Sequence, residues 1–346
     1  MITLFNGEVP SHFDTKAQRR GISNIMFTAL ASIILADQVT MDDATPVCSL
    51  TGPLNTHMVI LPASEIRAYG VERVVSFGDL HVGIVHDDNV HLFNQHDIFR
   101  DDAVEITNYD QQATAGWPLQ QISNSKAYKF PPQAGQGVDV YIVDTGVTTN
   151  HVEFGGRASW GLNMFPYSPS DKANADLNGH GTHVAGIVAS KTYGAAKKAN
   201  IIAVKALSAS GNSKWSCILD ALQWIFTHQQ GTCNPVVVNL SLSGAKNDAI
   251  NAVLNNLVSK GLTIVAAAGN SGADSCKYTP ASADLILTVG SISQSLVFSR
   301  FSNYGLCLDV LAPGEQIASL GTGVTQVNVY KSGTSMASPF VVIFVN

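Results

Sequence analysis

The chain has 346 residues, 45% of them hydrophobic and only 13% charged, with 29 glycines and a formal net charge of −6. That length suffices for one large domain plus a smaller one, each with a buried core. The composition excludes a disordered polymer, and the acidic balance excludes a nucleic-acid partner.

The charge is unevenly spread. Residues 1–116 hold 6 Lys/Arg against 15 Asp/Glu, a net of −9, while residues 117–346 hold 14 against 11, a net of +3. Such asymmetry favours docking of one part on the other. Near the front, the basic KAQRR precedes the apolar run GISNIMFTALASIILADQ, which is too short for a comfortable membrane span. Residues 1–36 are therefore expected to be a signal-like segment of a secreted protein with no stable membrane association. A true start at Met26 and an amphipathic core helix are the competing readings. Over residues 55–112, HMVILP, RVVSFGDLHVGIV and AVEITNYD read as short strands between charged connections, the pattern of a small α+β unit. YDQQATAGWP (109–118) reads as an exposed linker.

From Gly137 onward the pattern changes. VDVYIVDTG (138–146), NIIAVKAL (200–207), VVVNLSL (236–242) and LTIVAAAGN (262–270) are near-continuous apolar runs, which is how buried parallel strands read. Helical patterns lie between them. SKWSCILDALQWIFTHQQG puts Ile218, Leu219, Leu222, Ile225 and Phe226 on one face, with Ser216 placed to cap its start. NDAINAVLNNLVSKG repeats the arrangement, with Asn247 as cap, Ile250, Val253, Leu254, Leu257 and Val258 as stripe, and Gly261 as stop. This alternation predicts an α/β fold: a three-layer, doubly wound, mostly parallel sheet with its chemistry at the carboxyl ends of the strands. Five cysteines, Cys48, Cys217, Cys233, Cys276 and Cys307, leave at least one unpaired within the chain and show no zinc spacing.

Four stretches bear groups capable of chemistry. VYIVDTGV ends a buried strand on Asp144, either a site carboxylate or a cap on the next turn. Asp-Thr-Gly is also how aspartic proteases present a carboxylate, but those enzymes need two and no second copy occurs, so that reading requires a homodimer. DLNGHGTHVAG sets His180 and His183 three residues apart at the mouth of a helix. A zinc reading would use both, yet the glutamate of His-Glu-x-x-His is missing. AAAGN ends a strand on Asn270, a turn former or a donor to a developing oxyanion. YKSGTSMASPF sets Ser335 among small neighbours, as a plain helix cap or as a nucleophile in a helix's first turn.

Taken together and in order, DTG, NGHGTHVAG, AAAGN and GTSMASP resemble the signatures of the subtilisin-like serine proteases. SKTYGAAKKANIIAVKAL, YTPAS, TVGSIS and FSNYG resemble the proteinase K branch, over Trp117 to about Pro339. Residues 55–112 resemble that family's inhibitory propeptide more weakly. The resemblance implies a subtilisin-like catalytic domain over 117–346 in which Asp144 orients His180, His180 acts as general base and Ser335 attacks the scissile carbonyl. Asn270 and the Ser335 N–H would hold the oxyanion, and His183 would be a packed structural residue. It implies that Gly211, Asn212, Ser213 and Lys214 on one side, and Ser241, Leu242, Ser243 and Gly244 on the other, pair with an extended peptide. Ala267, Ala268 and Gly269 would floor the pocket for the residue before the scissile bond, their small uncharged lining implying broad specificity. Ser213 and Ser243 stand where close relatives have glycine.

No cofactor is implied for the chemistry. Asp309, with carbonyls near Asp284 and Ile286, is the implied site of a structural calcium. A bridge between Cys276 and Cys307 is implied, as is a free Cys233, because its usual partner position holds Asp139. The implied protein is a secreted, monomeric endopeptidase precursor acting on polypeptides. Its acidic front would be an intramolecular inhibitor, with the linker at about Asp110 to Ala115 in the groove. Two departures stand against this. Only about eight residues follow HMVIL where the family places its first propeptide helix. After GTSMASP the family continues with a His and a small-residue helix, whereas this chain reads FVVIFVN. Its catalytic domain is therefore expected to be C-terminally incomplete, with Phe340, Val341, Val342, Ile343, Phe344 and Val345 partly uncovered, Ser335's helix loosened and activity low. The alternative reading is a truncated non-catalytic homologue acting as a binding or inhibitory product.

Overall fold

The computed structural model describes residues 56–61, 71–77, 80–93, 98–100, 109–165, 174–231 and 234–342. The chain divides into two compact units between Asn108 and Tyr109. In the first, β1 (Thr56–Leu61), β2 (Val71–Phe77), β3 (Leu80–His86) and β4 (Ile98–Arg100) form an antiparallel sheet in the order β2-β3-β1-β4, with a 3₁₀ helix over Asp87–Phe93. Residues 62–70, the short stretch where the family places its first propeptide helix, lie outside the described residues, as does the signal-like segment.

The second unit opens with β5 (Asp110–Gln112), α1 (Trp117–Ile122) and β6 (Tyr128–Phe130), and β5 pairs antiparallel with β6. The stretch read as an exposed linker is exposed at Tyr109, Asp110, Gln111, Ala113, Thr114 and Gly116 but also carries a strand. The ladder captures Asp110–Gln112, Gln112 Nε2 donates to Thr192 O, and Ala115 and Pro118 are buried.

Seven strands then build one sheet: β7 (Asp139–Asp144), β8 (Ala158–Asn163), β9 (Asn200–Lys205), β10 (Val236–Leu240), β12 (Thr263–Ala267), β14 (Leu287–Ile292) and β15 (Val310–Pro313). Their order is β15-β14-β12-β10-β7-β9-β8 and every pairing is parallel. Four helices cover it: α2 (His180–Ala189), α3 (Trp215–His228), α4 (Asp248–Ser259) and α5 (Thr334–Val341). Alternate residues explain the layers. Val140 and Ile142 of β7 pack with α2 and α5, whereas Tyr141 and Val143 pack with α3 and α4. Each fully buried Ile, Leu or Val contributes about 1.5–3 kcal/mol, which makes these two faces the main source of stability. Short pairs complete the unit: β11 (Gly244–Ala245) with β13 (Tyr278–Thr279), and β16 (Ile317–Ser319) with β17 (Val329–Lys331).

Asn247 caps α4 as expected, accepting from the N–H groups of Ala249 and Ile250, and Gly261 follows with φ of 95°. Ser216 does not cap α3. The helix begins at Trp215, Lys214 occupies the cap position and makes no side-chain cap bond, and Ser216 falls inside the first turn.

Phe340, Val341 and Val342 are not uncovered, being 2%, 7% and 2% exposed. They join Val184, Ile187, Ile317 and Leu320 in one core, so α5 is packed on the sheet by its whole length. Ile343, Phe344 and Val345 lie outside the described residues. Cys276 and Cys307 form a disulfide with Cα atoms 5.1 Å apart. Cys217 is a free, half-buried thiol, and Cys48 and Cys233 lie outside the described residues. Asp139 accepts hydrogen bonds from Asn200 and Asn234.

Candidate active site

β7 has β9 on one side and β10 on the other, so it is where the winding of the sheet reverses, and in such sheets a crevice opens outside its carboxyl end. Asp144 is the last residue of that strand and is fully buried. Its carboxylate accepts the Thr145 N–H at 2.7 Å and faces His180 Nδ1, 2.8 Å from Oδ1 and 2.9 Å from Oδ2. A carboxylate at Nδ1 fixes the tautomer with the proton on that nitrogen and leaves Nε2 as a base.

His180 is the first residue of α2, and its side chain remains 25% exposed. Gly179 precedes it with φ of 89°, and Gly181 follows where an added Cβ would collide with the Gly146 carbonyl oxygen. A larger residue at 181 would push the helix off β7 and pull the imidazole from its carboxylate. Burial is the largest influence on His180 and disfavours the charged ring. The charge and hydrogen bond of Asp144, aided by Asp176, overcome it and the opposing Lys331, so the imidazole is held above its ordinary value.

His183, one turn on, is wholly buried and turned away. Its Nε2 lies 3.0 Å from Ile317 O and 2.9 Å from Val329 O, and Nδ1 has no partner among the described residues. The ring is therefore neutral with its proton on Nε2, and burial pushes its pKa down to about 4. The two rings meet separate partners, Asp144 at His180 and the Ile317 and Val329 carbonyls at His183, so they do not face one common site, and no cluster of three or more His, Cys, Asp or Glu able to hold a metal occurs among the described residues.

Ser335 sits in the first turn of α5, 9% exposed, where helix N–H groups have no intrahelical partner. Its hydroxyl donates to the Ser241 carbonyl oxygen at 3.1 Å. Proton transfer to His180 thus requires the hydroxyl to swing from Ser241 toward Nε2. The helix itself is bolted down. Pro339, four residues on, has no N–H to give to the Ser335 carbonyl, which accepts from Ser241 Oγ at 2.9 Å instead. Asn239 of β10 donates to Ser241 Oγ and accepts from Ser338 Oγ. Asn270 accepts the Thr334 N–H at 2.8 Å and the Thr334 hydroxyl at 2.9 Å through Oδ1. That pins its amide so that Nδ2 is the end left for another acceptor.

His180, Asn270 and Ser335 line one cleft of about 670 Å³. Gly211, Asn212, Ser213 and Lys214 line it too, as do Ser241, Leu242, Ser243 and Gly244. Ala267 and Gly269 belong to its floor, but Ala268 does not. Strand alternation turns Ala268 the other way, into an apolar cluster with Ile292, Leu308 and Leu311. Residues 110–115 are absent from the lining, which corrects the expectation that the linker fills the groove. Sequence reasoning missed Thr145, Asn178 and Trp215, which also line the cleft, and it missed Asp176 behind it. The legible signal for Asp176 was an acidic residue just ahead of a helix start.

Asp309 is buried, and its Oδ2 accepts from the Thr288 N–H at 2.8 Å. A cation there would have to draw on backbone carbonyls for most of its ligands.

A pinned carboxylate–imidazole pair, a serine in a helix's first turn and an amide donor sharing one cleft are the parts of an acyl-transfer site. The comparisons with known proteins agree with that chemistry. The model of the Subtilase family matches residues 135–344. "Subtilisin-like protease 2" of Pseudogymnoascus destructans is 41% identical over 248 residues, covering 70% of this chain and 60% of that protein. "Subtilisin-like protease 1" of Arthroderma otae is 36% identical over 324 residues, covering 89% and 65%. Cerevisin of Saccharomyces cerevisiae is 38% identical over 300 residues, covering 80% and 47%. Among solved structures, a cold-adapted subtilisin-like serine proteinase is 39% identical with a TM-score of 0.61, covering 66% of this chain and 82% of that one. The chain thus spans between 47% and 65% of the length of these three curated relatives.

Proposed function

The chain belongs to the subtilase family, and from that premise we propose that it is a serine endopeptidase hydrolysing polypeptides with broad specificity. The observation that carries this reading is the Asp144–His180 pair, with Nδ1 2.8 Å from Oδ1, facing the same cleft as Ser335 and Asn270. His180 Nε2 takes the Ser335 proton as Oγ attacks the scissile carbonyl, and Asp144 stabilises the imidazolium that forms. Asn270 Nδ2 and the Ser335 N–H hold the tetrahedral oxyanion, each such donor being worth about 3 kcal/mol. His180 then protonates the departing amine, and water releases the acyl group by the same steps in reverse.

An extended peptide lies between Gly211–Lys214 and Ser241–Gly244, its residue before the scissile bond directed at Ala267 and Gly269. The chemistry needs no cofactor, and a calcium ion at Asp309 serves stability alone; a rise in Tm on adding calcium, lost in Asp309→Ala, tests that. The protein is a secreted monomer whose acidic N-terminal unit is an intramolecular inhibitor, and separately expressed residues 37–112 would inhibit a related protease more weakly at high salt.

Labelling of the full chain with a fluorophosphonate tests the central claim. Covalent label on Ser335, lost in Ser335→Ala and His180→Ala, supports it. Label no greater than in Ser335→Ala overturns it and leaves a non-catalytic homologue.

A further inference from the structure

Asp144 is not the only buried carboxylate beside His180. Asp176 lies in the loop ahead of α2 and is 4% exposed. Five donors converge on it. Its Oδ1 accepts from Thr145 Oγ1 at 2.8 Å, Asn178 N at 3.1 Å and Gly179 N at 2.8 Å. Its Oδ2 accepts from Thr182 N at 2.9 Å and Thr182 Oγ1 at 2.7 Å. Three of those donors are backbone N–H groups of the loop and first turn that carry His180, and the other two are the hydroxyls of Thr145 and Thr182. Thr145 directly follows Asp144, and its hydroxyl also accepts the Gly181 N–H at 3.0 Å. One carboxylate therefore ties the strand end bearing Asp144 to the helix start bearing His180. Thr145 is its intermediary to both: the Thr145 N–H donates to Asp144 Oδ1, and the Thr145 hydroxyl accepts from the Gly181 N–H of α2.

A satisfied, anchored carboxylate of this kind does two physical things. It removes freedom from the helix start, and a displacement of ~1 Å in a reacting group costs about a hundredfold in rate. It also places a second fixed negative charge near the imidazole, in a site that screens poorly.

We propose that Asp176 is a positioning residue for His180, holding the imidazole against Asp144 through Thr145 and the start of α2. The proposal rests on the role of His180 as general base. The charged groups acting on His180 are Asp144 from β7, Asp176 from the loop and Lys331 from β17, while His183 on α2, whose Nε2 lies against Ile317 O and Val329 O, is turned away. The two carboxylates raise the imidazole's pKa and Lys331 lowers it. Loss of the Asp176 charge should therefore move the acid limb of kcat/KM to lower pH, while loss of its bonds should lower kcat at every pH.

Two readouts on the full chain separate these effects. In Asp176→Asn, the carboxylate charge and the acceptor for Thr182 N–H are lost at nearly constant shape. We expect kcat, per active site titrated with a fluorophosphonate, to fall about tenfold to a hundredfold with KM little changed. The acid limb should move down by about 0.3–1 pH unit. The downfield Nδ1 proton resonance of His180, titrated in the Ser335→Ala background, should move with it. This second readout needs no activity, so it decides the inference even where the wild type proves to cleave nothing. Asp176→Glu keeps the charge on a longer stem, and should lose kcat while leaving the resonance midpoint within about 0.2 unit of wild type. An unshifted resonance in Asp176→Asn overturns the proposal. So does a kcat within twofold of wild type in both variants, and if the Asn variant fails to fold, a wild-type kcat in the Glu variant does the same.

Discussion

The cleft mouth at His180 and the interior at His183 are one helical turn apart and treat the same side chain in opposite ways. His180 keeps 25% of its side chain in solvent and meets a buried carboxylate at 2.8 Å. His183 is fully enclosed and meets two backbone carbonyls, with its second nitrogen unpartnered among the described residues. Burial works against the charged form in both. Only at His180 is there enough fixed negative charge to reverse it. The contrast shows that the partner's charge, more than depth, makes a histidine a proton carrier, since carbonyl dipoles satisfy an N–H without stabilising an imidazolium to the same degree.

Removing each ring should break the comparison in different observables. His180→Ala is expected to lower kcat/KM by a factor on the order of 10⁴ or more, with a Tm within a few degrees of wild type, measured on a casein-type substrate and by thermal denaturation. A loss below tenfold would contradict the general-base role. His183→Leu should do the reverse. It leaves Ile317 O and Val329 O unsatisfied at a cost of about 2–4 kcal/mol in urea unfolding, while kcat per labelled Ser335 stays within about tenfold.

Acid should act on the two rings in separate windows. His180's folded pKa is raised, and the base must be neutral, so activity should fall as pH drops through a midpoint above 6.5. By linkage, the His180 pair contributes stability fully present below the unfolded value and lost as pH rises through that midpoint. His183 has the opposite sign. Between the unfolded value of 6.5 and about 4, the unfolded chain binds a proton that the folded chain refuses, so stability falls as pH falls, by about 3 kcal/mol across the window. The difference in unfolding free energy between wild type and His183→Leu should therefore shrink from pH 7 to pH 4. A constant difference would mean that His183 is not buried neutral.

The smallest effect sharpens the comparison most. Lys331 lowers both imidazole pKa values, so Lys331→Met should shift both titrations upward by about a few tenths of a unit, read from the two histidine resonances. Opposite shifts would show that the two rings do not share this neighbour.

Much of this molecule was legible in its sequence because the strands are buried on both faces. Continuous apolar runs at 138–146, 200–207, 236–242 and 262–270 became β7, β9, β10 and β12; of their closing residues, Asp144 reached His180 and Ser241 and Asn270 reached the cleft. The edge strand β8 was missed because ASWGLN is only half-buried and lacks an apolar run. Ala267 and Ala268 are indistinguishable as letters, and strand alternation alone sent one to the cleft and the other to the core. The final FVVIFVN read as an exposed patch, yet Phe340–Val342 are enclosed, because α5 lies against α2 and the sheet rather than at an edge. What the sequence by itself determined was therefore local: apolar periodicity, caps such as Asn247, and the residue types and order of the reactive groups. What only the tertiary structure decided was every bond across long separations. Asp176 to Thr145, Ser241 to Ser335 and His183 to Val329 join residues 31, 94 and 146 positions apart. Their energies depend on distance and orientation, which no short stretch of sequence encodes and which packing of the elements alone supplies.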